Sequence, residues 1–296
     1  MSLAEPTPLA ASSGPRLRAR RAWLRLLGHR SFLAGIIVLA LLAVIVVAGP
    51  SLAPADPLAI NPINRLAPPG REYLMGTDHL GRDLLSRLLY GARYSVAVGL
   101  SAIAGGALIG WLVGAFSGYA TGRAGIVLAG LIDTFLAFPM ELIALAMVSI
   151  VGAGLHNVVA AISLAMWPRI ARMARGEVLR VRELEYVEAA RALGATTRRV
   201  IGRHILPNVL APMIVALTFY VGSAILVEAA LSFLGLGVPP PTPTWGNIAN
   251  DGRKSLVTSP WAMMFSGAAV GLTVLSLNLV GDGLRDYFDP RLRVQR

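Results

Sequence analysis

The chain has 296 residues, of which 55% are hydrophobic and only 15% are charged, and its mean hydropathy is +0.64. Soluble domains carry charge on roughly a quarter of their positions, so this composition excludes an ordinary soluble domain or a disordered chain and favours a membrane protein. The 27 basic and 16 acidic side chains leave a net charge of +11, which on its own would also suit a nucleic-acid-binding chain, and the absence of cysteine excludes disulfides and thiolate chemistry.

Five long stretches that are almost free of charged residues follow one another along the chain. A helix that crosses the hydrocarbon core needs about 20 mostly apolar residues. Residues 31–55, 94–122 and 255–281 each supply one such helix, residues 204–250 supply one over about 209–235, and residues 124–168 are long enough for two. The sequence therefore predicts an all-α polytopic membrane protein with six transmembrane helices.

The basic residues are divided unequally between the two sides of this predicted bundle. Twenty of the 27 fall in the N-terminal segment, the short second loop, the loop 169–203 and the C-terminal tail, whereas seven fall in the first and fifth loops. Arginine and lysine are enriched in cytoplasmic loops. Both termini are therefore predicted to lie in the cytoplasm, and the positive charge is explained by orientation without a nucleic-acid partner.

These assignments divide the chain into a basic cytoplasmic segment 1–30, a first transmembrane helix 31–53, an extracytoplasmic loop 54–93, a core 94–283 and a cytoplasmic tail 284–296. The first helix is interpreted as a retained anchor, because its apolar run exceeds the roughly 7 to 15 residues of the hydrophobic core of a signal peptide, which is the alternative.

Within the outer loop, leucine pairs at helical spacing predict a surface helix. Its apolar stripe would be Leu84, Leu85, Leu88 and Leu89, and its water-facing side would be Arg82, Asp83, Ser86 and Arg87.

The second predicted helix carries a glycine at every fourth position. Small residues at this spacing let another backbone approach closely, and such packing is a main source of helix association in lipid. We therefore predict that this face packs against a neighbouring helix, with a substrate-lining role as the alternative. The glycines are Gly106, Gly110, Gly114, Gly118 and Gly122, and Gly267 and Gly271 repeat the spacing in the last helix.

The cytoplasmic loop 173–207 mixes arginine and glutamate with apolar residues near helical spacing. This pattern predicts one or two short amphipathic helices outside the bilayer, interrupted at Gly194 and followed by a new transmembrane helix at Pro207. Composition alone leaves two roles open for them, binding to the membrane surface or binding to a partner protein.

A motif in this loop favours the second role. The segment EYVEAARALGATTRRVIGRHILPN resembles the EAA motif of bacterial ABC importer permeases, and the matching residues are Glu188, Ala189, Ala190, Gly194, Leu206 and Pro207. Three further segments are similar to the permeases of the dipeptide, oligopeptide and nickel family, specifically to the C-type subunit of a B/C pair. They are MGTDHLGRDLLSRLLYGARYS, ILVEAALSFLGLGVPPPTPTWGNI and NLVGDGLRDYFDPRLR.

This resemblance implies the fold of a type I ABC importer transmembrane domain and a division of labour between subunits. The loop would be the coupling helix that docks in a groove of an ATP-hydrolysing subunit. The chain would pair with a B-type permease in the cell's inner membrane and work with two ATPase subunits and an extracytoplasmic substrate-binding protein. Its one lysine, Lys254, is not part of a P-loop. We therefore expect that the chain is not an enzyme and binds no cofactor or metal, and that ATP and magnesium bind to the partner subunits.

Three acidic residues, Asp133, Glu141 and Glu228, fall inside predicted helices. A charged carboxylate there costs about 2.5 to 3.5 kcal/mol on insertion scales, so it should face the bundle interior or water. Asp133 and Glu228 are candidates for a translocation path, and a neutral or paired carboxylate that bridges helices is the alternative.

The predicted function is import of dipeptides or oligopeptides. Nickel chelates and glutathione remain open as solutes, and a proton-coupled secondary transporter is the alternative from another class.

Overall fold

The computed structural model describes residues 30–120 and 122–288, so the predictions for residues 1–29 and for tail residues 289–296 lie outside the described part. Within that part the chain is almost entirely helical, and its β pairing is an isolated bridge between Thr77 and Asp83. The prediction of an all-α protein is confirmed.

Ten α-helices follow one another in the described residues, and short 3-10 turns at Pro62–Asn64 and Arg253–Ser255 and a π turn at Ile201–Ile205 join some of them. In chain order they are α1 (Arg30–Leu52), α2 (Leu84–Tyr119), α3 (Arg123–Leu136), α4 (Met140–Val151), α5 (Leu155–Arg182), α6 (Glu185–Ala192), α7 (Thr197–Val200), α8 (Leu206–Phe233), α9 (Trp245–Gly252) and α10 (Trp261–Phe288).

Four of the described helical segments are long and apolar enough to cross a membrane, namely α1, α2, the segment from α7 through α8, and α10. Helices α3 and α4 together make a fifth, which is bent by 84°. Helix α5 has 28 residues, and arginines occupy its second half while its first half is apolar. With α5 included, the arrangement is consistent with the six predicted spans.

Two helices extend further than their apolar stretches. Helix α2 begins at Leu84, not near residue 94, so the predicted surface helix of the outer loop is wrong as a separate element. Helix α5 continues through Pro168 as far as Arg182, so the first part of the predicted cytoplasmic loop belongs to the spanning helix. The physical reason is that loss of hydrophobicity marks where a helix leaves the lipid, whereas its backbone hydrogen bonds continue into water.

The glycine-bearing face of α2 lies directly against α5. A β-carbon built at Gly110 would lie 2.6 Å from the Trp167 carbonyl oxygen, and one at Gly118 would lie 2.9 Å from the Arg175 carbonyl oxygen. At Gly106 the closest atom would be the Ser163 carbonyl oxygen at 3.1 Å, and at Gly114 a β-carbon would overlap the Ala171 carbonyl. The two backbones are therefore closer than any other residue type would allow without a shift.

Three glycines with the same spacing do not pack in this way. Gly122 follows the end of α2, precedes α3 with a φ of +71°, and has no atom near a built β-carbon, so its predicted place on the packing face is wrong. Gly267 and Gly271 of α10 also have open space where a β-carbon would lie. Spacing alone does not distinguish a packed face from an open one, because the neighbour is set by the tertiary arrangement.

Candidate functional site

The loop between α5 and α8 forms a projection that is anchored by a few buried valines. Val187 of α6 and Val200 of α7 are buried and belong to the same hydrophobic core as Val181 at the end of α5. The opposite side is open, and Leu193 is 89% exposed. Val187 and Val200 therefore fix the loop to the bundle and leave its outer surface available.

Gly194 ends helix α6 in a conformation that favours glycine. Its φ is +79°, its amide donates to the Arg191 carbonyl oxygen at 2.9 Å, and the Ala195 amide donates to the Ala190 carbonyl oxygen at 3.0 Å. A side chain at positive φ is disfavoured in an L-residue, whereas glycine adopts it freely. The chain turns sharply here, as the sequence predicted.

Glu188 lies at the rim of a cleft of about 480 Å³ between the loop and the end of α2. Arg191 lies 5.6 Å from the ring centroid of Tyr119, and the Arg182 Nη1 donates to the Gly118 carbonyl oxygen at 2.9 Å. The first contact ties α6 to the end of α2, the second ties the last residue of α5 to the same turn, and the loop continues along the chain into α5 on one side and α8 on the other. A force applied to α6 would therefore reach three membrane helices.

The structure brings four of the six motif residues together and separates the other two. Glu188, Ala189 and Ala190 lie on α6, and Gly194 follows its end, while Leu206 and Pro207 form the first turn of α8. Proline fits there because the first turn of a helix leaves its amides unpaired. The π turn Ile201–Ile205 connects α7 to α8 and holds Ile205 in the core.

Glu228 is completely buried between α8, α2 and the start of α9. Its Oε1 accepts a hydrogen bond from Ser232 Oγ at 2.8 Å, and the hydroxyls of Ser95 and Thr244 also face the carboxyl group. It makes no ion pair with any residue in ranges 30–120 and 122–288. The side chain is enclosed among the described residues of this subunit, and its place on a translocation path stays a prediction.

Asp133 and Glu141 lie on the subunit surface beside the bend between α3 and α4. The Asp133 Oδ1 is 3.7 Å from the Arg172 Nη1, and both side chains are more than half exposed. An ion pair that is so open to solvent adds little stability. Neither carboxylate is enclosed by its own subunit as Glu228 is.

A cluster of four charged residues at the N-terminal end of α2 was not predicted from the sequence. Asp78 Oδ2 accepts from Arg82 Nε at 2.6 Å and from Arg87 Nη1, while Asp251 Oδ2 accepts from Arg82 Nη2 at 3.0 Å and from Arg87 Nη1 at 2.9 Å. Asp83 caps α2 by accepting from the Ser86 amide at 2.7 Å. The predicted exposure of Arg82, Asp83, Ser86 and Arg87 is wrong, since all four are buried.

The charges of this cluster balance one another. Burial raises the pKa of the Asp78 carboxyl, but the Arg87 charge, the Arg82 backbone amide, the Arg82 charge and the Leu80 backbone amide together hold that pKa below its ordinary value. Removal of one partner would leave a buried charge unpaired, which typically costs about 3–5 kcal/mol. The pattern of α2 gives no signal for the cluster, because Asp251 is remote in sequence.

Asp78, His79 and Asp251 place ligand atoms within 4.8 Å of one another, a grouping that resembles a metal site. Both carboxylates already accept hydrogen bonds from arginine, and the two guanidinium groups would repel a cation. These three residues therefore form part of an ion-pair cluster and are not assigned to a metal.

Comparison with known families gives two matches that together cover most of the chain. Residues 106–294 match the family described as binding-protein-dependent transport system inner membrane component. Residues 18–69 match the N-terminal transmembrane domain of oligopeptide transport permease C.

Curated relatives and solved structures agree with these matches. The dipeptide transport system permease protein DppC of Alkalihalophilus pseudofirmus is 39% identical over 93% of this chain and 90% of its own length. The glutathione transport system permease protein GsiD of Pectobacterium atrosepticum is 39% identical over 97% of this chain and 95% of its own length. A chain of the inward-facing MetNI methionine ABC transporter shares the fold, with a TM-score of 0.57 and 20% identity over 68% of this chain and 96% of that chain.

Proposed function

Because the chain belongs to the family of binding-protein-dependent transport system inner membrane components, we propose that it is the C-type permease subunit of an ATP-driven importer of dipeptides or oligopeptides. It is a multi-pass membrane protein, and its family is the membrane permease component of such importers. The proposed orientation places both termini and the loop 173–207 in the cytoplasm.

This proposal rests on the structure of the loop between α5 and α8. Helix α6 is exposed on its outer side, carries the motif residues Glu188, Ala189 and Ala190, and is anchored through Val187. An exposed helix that contacts the end of α2 through Arg191 and lies between α5 and α8 in the chain suits the transmission of a movement from a docked protein. We therefore assign α6 as the element that binds an ATPase subunit.

ATP and magnesium belong to that partner in our proposal. With a single lysine that is not in a P-loop, the chain has no phosphate-binding loop of the usual kind. Two ATPase subunits would dock on this chain and on a second permease. An extracytoplasmic binding protein would deliver the solute.

The surface around α3 and α4 supports the presence of a second membrane subunit. Asp133 and Glu141 are exposed there, although both fall within an apolar stretch. The bend between the helices, with Phe138 61% exposed, also interrupts regular backbone hydrogen bonding. Charged groups and irregular backbone avoid lipid and are tolerated where protein or water covers them. We propose that the B-type permease covers this surface.

Uptake by the reconstituted complex tests the function and separates it from a proton-coupled transporter. The chain is combined in proteoliposomes with the B-type permease, the two ATPases and the binding protein, and uptake of a labelled dipeptide is followed. We expect uptake to require ATP and to survive collapse of the proton gradient. Uptake that stops with the gradient and ignores ATP would refute the proposal. Glutathione and a nickel chelate in place of the dipeptide test the alternative solutes.

Two variants test the coupling role of α6. We expect Glu188→Lys and Gly194→Leu to abolish uptake while the chain remains in the membrane, the first by altering the docking surface and the second by forcing a side chain into positive φ. Gly202→Leu is the matched control, because Gly202 lies in the same loop with open space around it and without a positive φ. Normal uptake by both test variants would exclude the assignment.

A further inference from the structure

The four-charge cluster joins two parts of the extracytoplasmic side that are far apart in sequence. Asp78 belongs to the outer loop, Arg82 and Arg87 flank the start of α2, and Asp251 belongs to α9. Asp78 and Arg87 are each 2% exposed, whereas the Asp251 side chain is 26% exposed. Each arginine contacts both carboxylates, so the cluster connects the loop, α2 and α9 at one point.

The other end of α9 is attached to the same face of α2. The Trp245 Nε1 donates to the Leu88 carbonyl oxygen at 3.2 Å, and the Trp245 amide donates to Ser95 Oγ at 3.1 Å. Helix α9 also packs closely against α8, because a β-carbon built at Gly246 would lie 2.5 Å from the Ala229 carbonyl oxygen of α8. Helix α9 is therefore held at its first residue and near its last, without room to slide.

The outer loop is fixed to α2 as firmly as α9 is. The Ala55 amide donates to Ser86 Oγ at 3.1 Å, and Thr77 forms the isolated bridge with Asp83. Gly81 passes so close to the Asn61 backbone that a β-carbon would overlap it. We name residues 55–95 together with α9 the outer platform.

Separation of α9 from α2 would leave the Asp251 carboxylate without its two arginine partners. Arg87 would lose one of its two carboxylates, and the buried Trp245 indole would lose its acceptor. The cavity between the two parts is lined by His79, Asn250 and Asp251, among others, and has a volume of about 320 Å³. Opening of the outer side at this joint would therefore break several buried polar contacts at once.

We propose that Asp78 and Asp251 are positioning residues which, through Arg82 and Arg87, keep the outer platform one rigid body throughout the transport cycle. The inference rests on the proposed transport function. The outer side of the path then opens by movement of the whole platform relative to the second permease. It does not open by withdrawal of α9 from α2.

A reversible cross-link across the joint tests this rigidity. The chain has no cysteine, so His79→Cys with Asn250→Cys gives a defined pair on the two sides of the cavity. The pair is joined by a short bifunctional methanethiosulfonate in the complete complex, and ATP-dependent dipeptide uptake is measured before and after dithiothreitol. We expect the cross-linked complex to keep at least half of its uptake. A loss of more than tenfold that dithiothreitol restores, with no loss in either single-cysteine variant, would overturn the proposal.

Substitution of Asp251 tests the positioning role itself. We expect Asp251→Asn to lower uptake about tenfold, while assembly and basal ATP hydrolysis by the complex stay within twofold, and Asp251→Glu to restore at least half of the uptake. Equal loss of uptake and assembly, or full uptake by Asp251→Asn, would refute the role. If the unsubstituted complex shows no ATP-dependent uptake, the proposed function is wrong. That result would say nothing against the positioning role of Asp251.

Discussion

Asp78 accepts hydrogen bonds from two backbone amides and two arginines, and the pKa of its carboxyl lies below the ordinary value of 3.8. A carboxyl whose pKa is lower in the folded state stabilises the fold above its unfolded pKa and loses that contribution as the pH falls through the folded value. The stabilisation by Asp78 is thus complete at neutral pH. This stabilisation is lost only at pH values well below the range in which histidine titrates.

This gives a prediction about acid stability. The free energy of unfolding of the solubilised wild-type chain should exceed that of Asp78→Asn by a constant amount from neutral pH down to about the ordinary pKa, and the difference should shrink at lower pH. Thermal unfolding at a series of pH values measures it. Asp56→Asn, on an exposed side chain, serves as the control with little effect. A difference that already disappears near the titration range of histidine would contradict the prediction.

Glu228 allows a second prediction at the scale of one residue. Because Oε1 accepts from Ser232 and the carboxyl makes no ion pair within residues 30–120 and 122–288, Glu228→Gln should keep this contact and transport within about twofold of wild type. Glu228→Leu should destabilise the chain by about 1–3 kcal/mol, since buried hydroxyls lose their partner. Uptake and thermal unfolding measure the two effects. Abolished uptake in a stable Glu228→Gln complex would instead indicate a proton relay.

At the scale of helices, the contact between α2 and α5 depends on the absence of side chains. A methyl group at Gly114 would overlap the Ala171 carbonyl. We expect Gly114→Ala to lower the free energy of unfolding by about 1–3 kcal/mol, as overpacking of a close contact does. Gly130→Ala in α3, where a β-carbon meets open space, should be neutral or slightly stabilising. Thermal unfolding of both variants in detergent provides the comparison. Equal effects of the two substitutions would contradict the claim that the contact between α2 and α5 requires glycine at position 114.

The helices also show how far sequence reasoning extends. The four-residue glycine spacing predicted the packed face correctly at Gly106 to Gly118, because packing along one helix has a local period. It failed at Gly122, where the helix has already ended. The predicted boundaries of α2 and α5 are wrong for a related reason. Both helices continue beyond their apolar stretches into residues whose side chains are charged.

At the scale of the whole molecule, the orientation follows from the division of arginines and is directly testable. In the cysteine-free chain, Ile63→Cys places a thiol in the outer loop, where Ile63 is 93% exposed, and Ala192→Cys places one on the exposed side of α6. A membrane-impermeant maleimide should label Ile63→Cys in intact cells and Ala192→Cys only after permeabilisation. The reverse pattern would show that the proposed orientation is inverted.

The sequence by itself determined the all-α class, the number and order of apolar stretches, the turn at Gly194 and the motif on α6, because each depends on hydrophobicity or conformational preference within a short segment. Only the tertiary structure decided that Arg87 is buried against Asp251, that Glu228 is enclosed within the subunit, and that a β-carbon at Gly267 would meet none of the described residues within 4 Å. Arg87 and Asp251 are 164 residues apart. Their pairing depends on how α2 and α9 meet in space, which no local pattern of charge or hydropathy specifies.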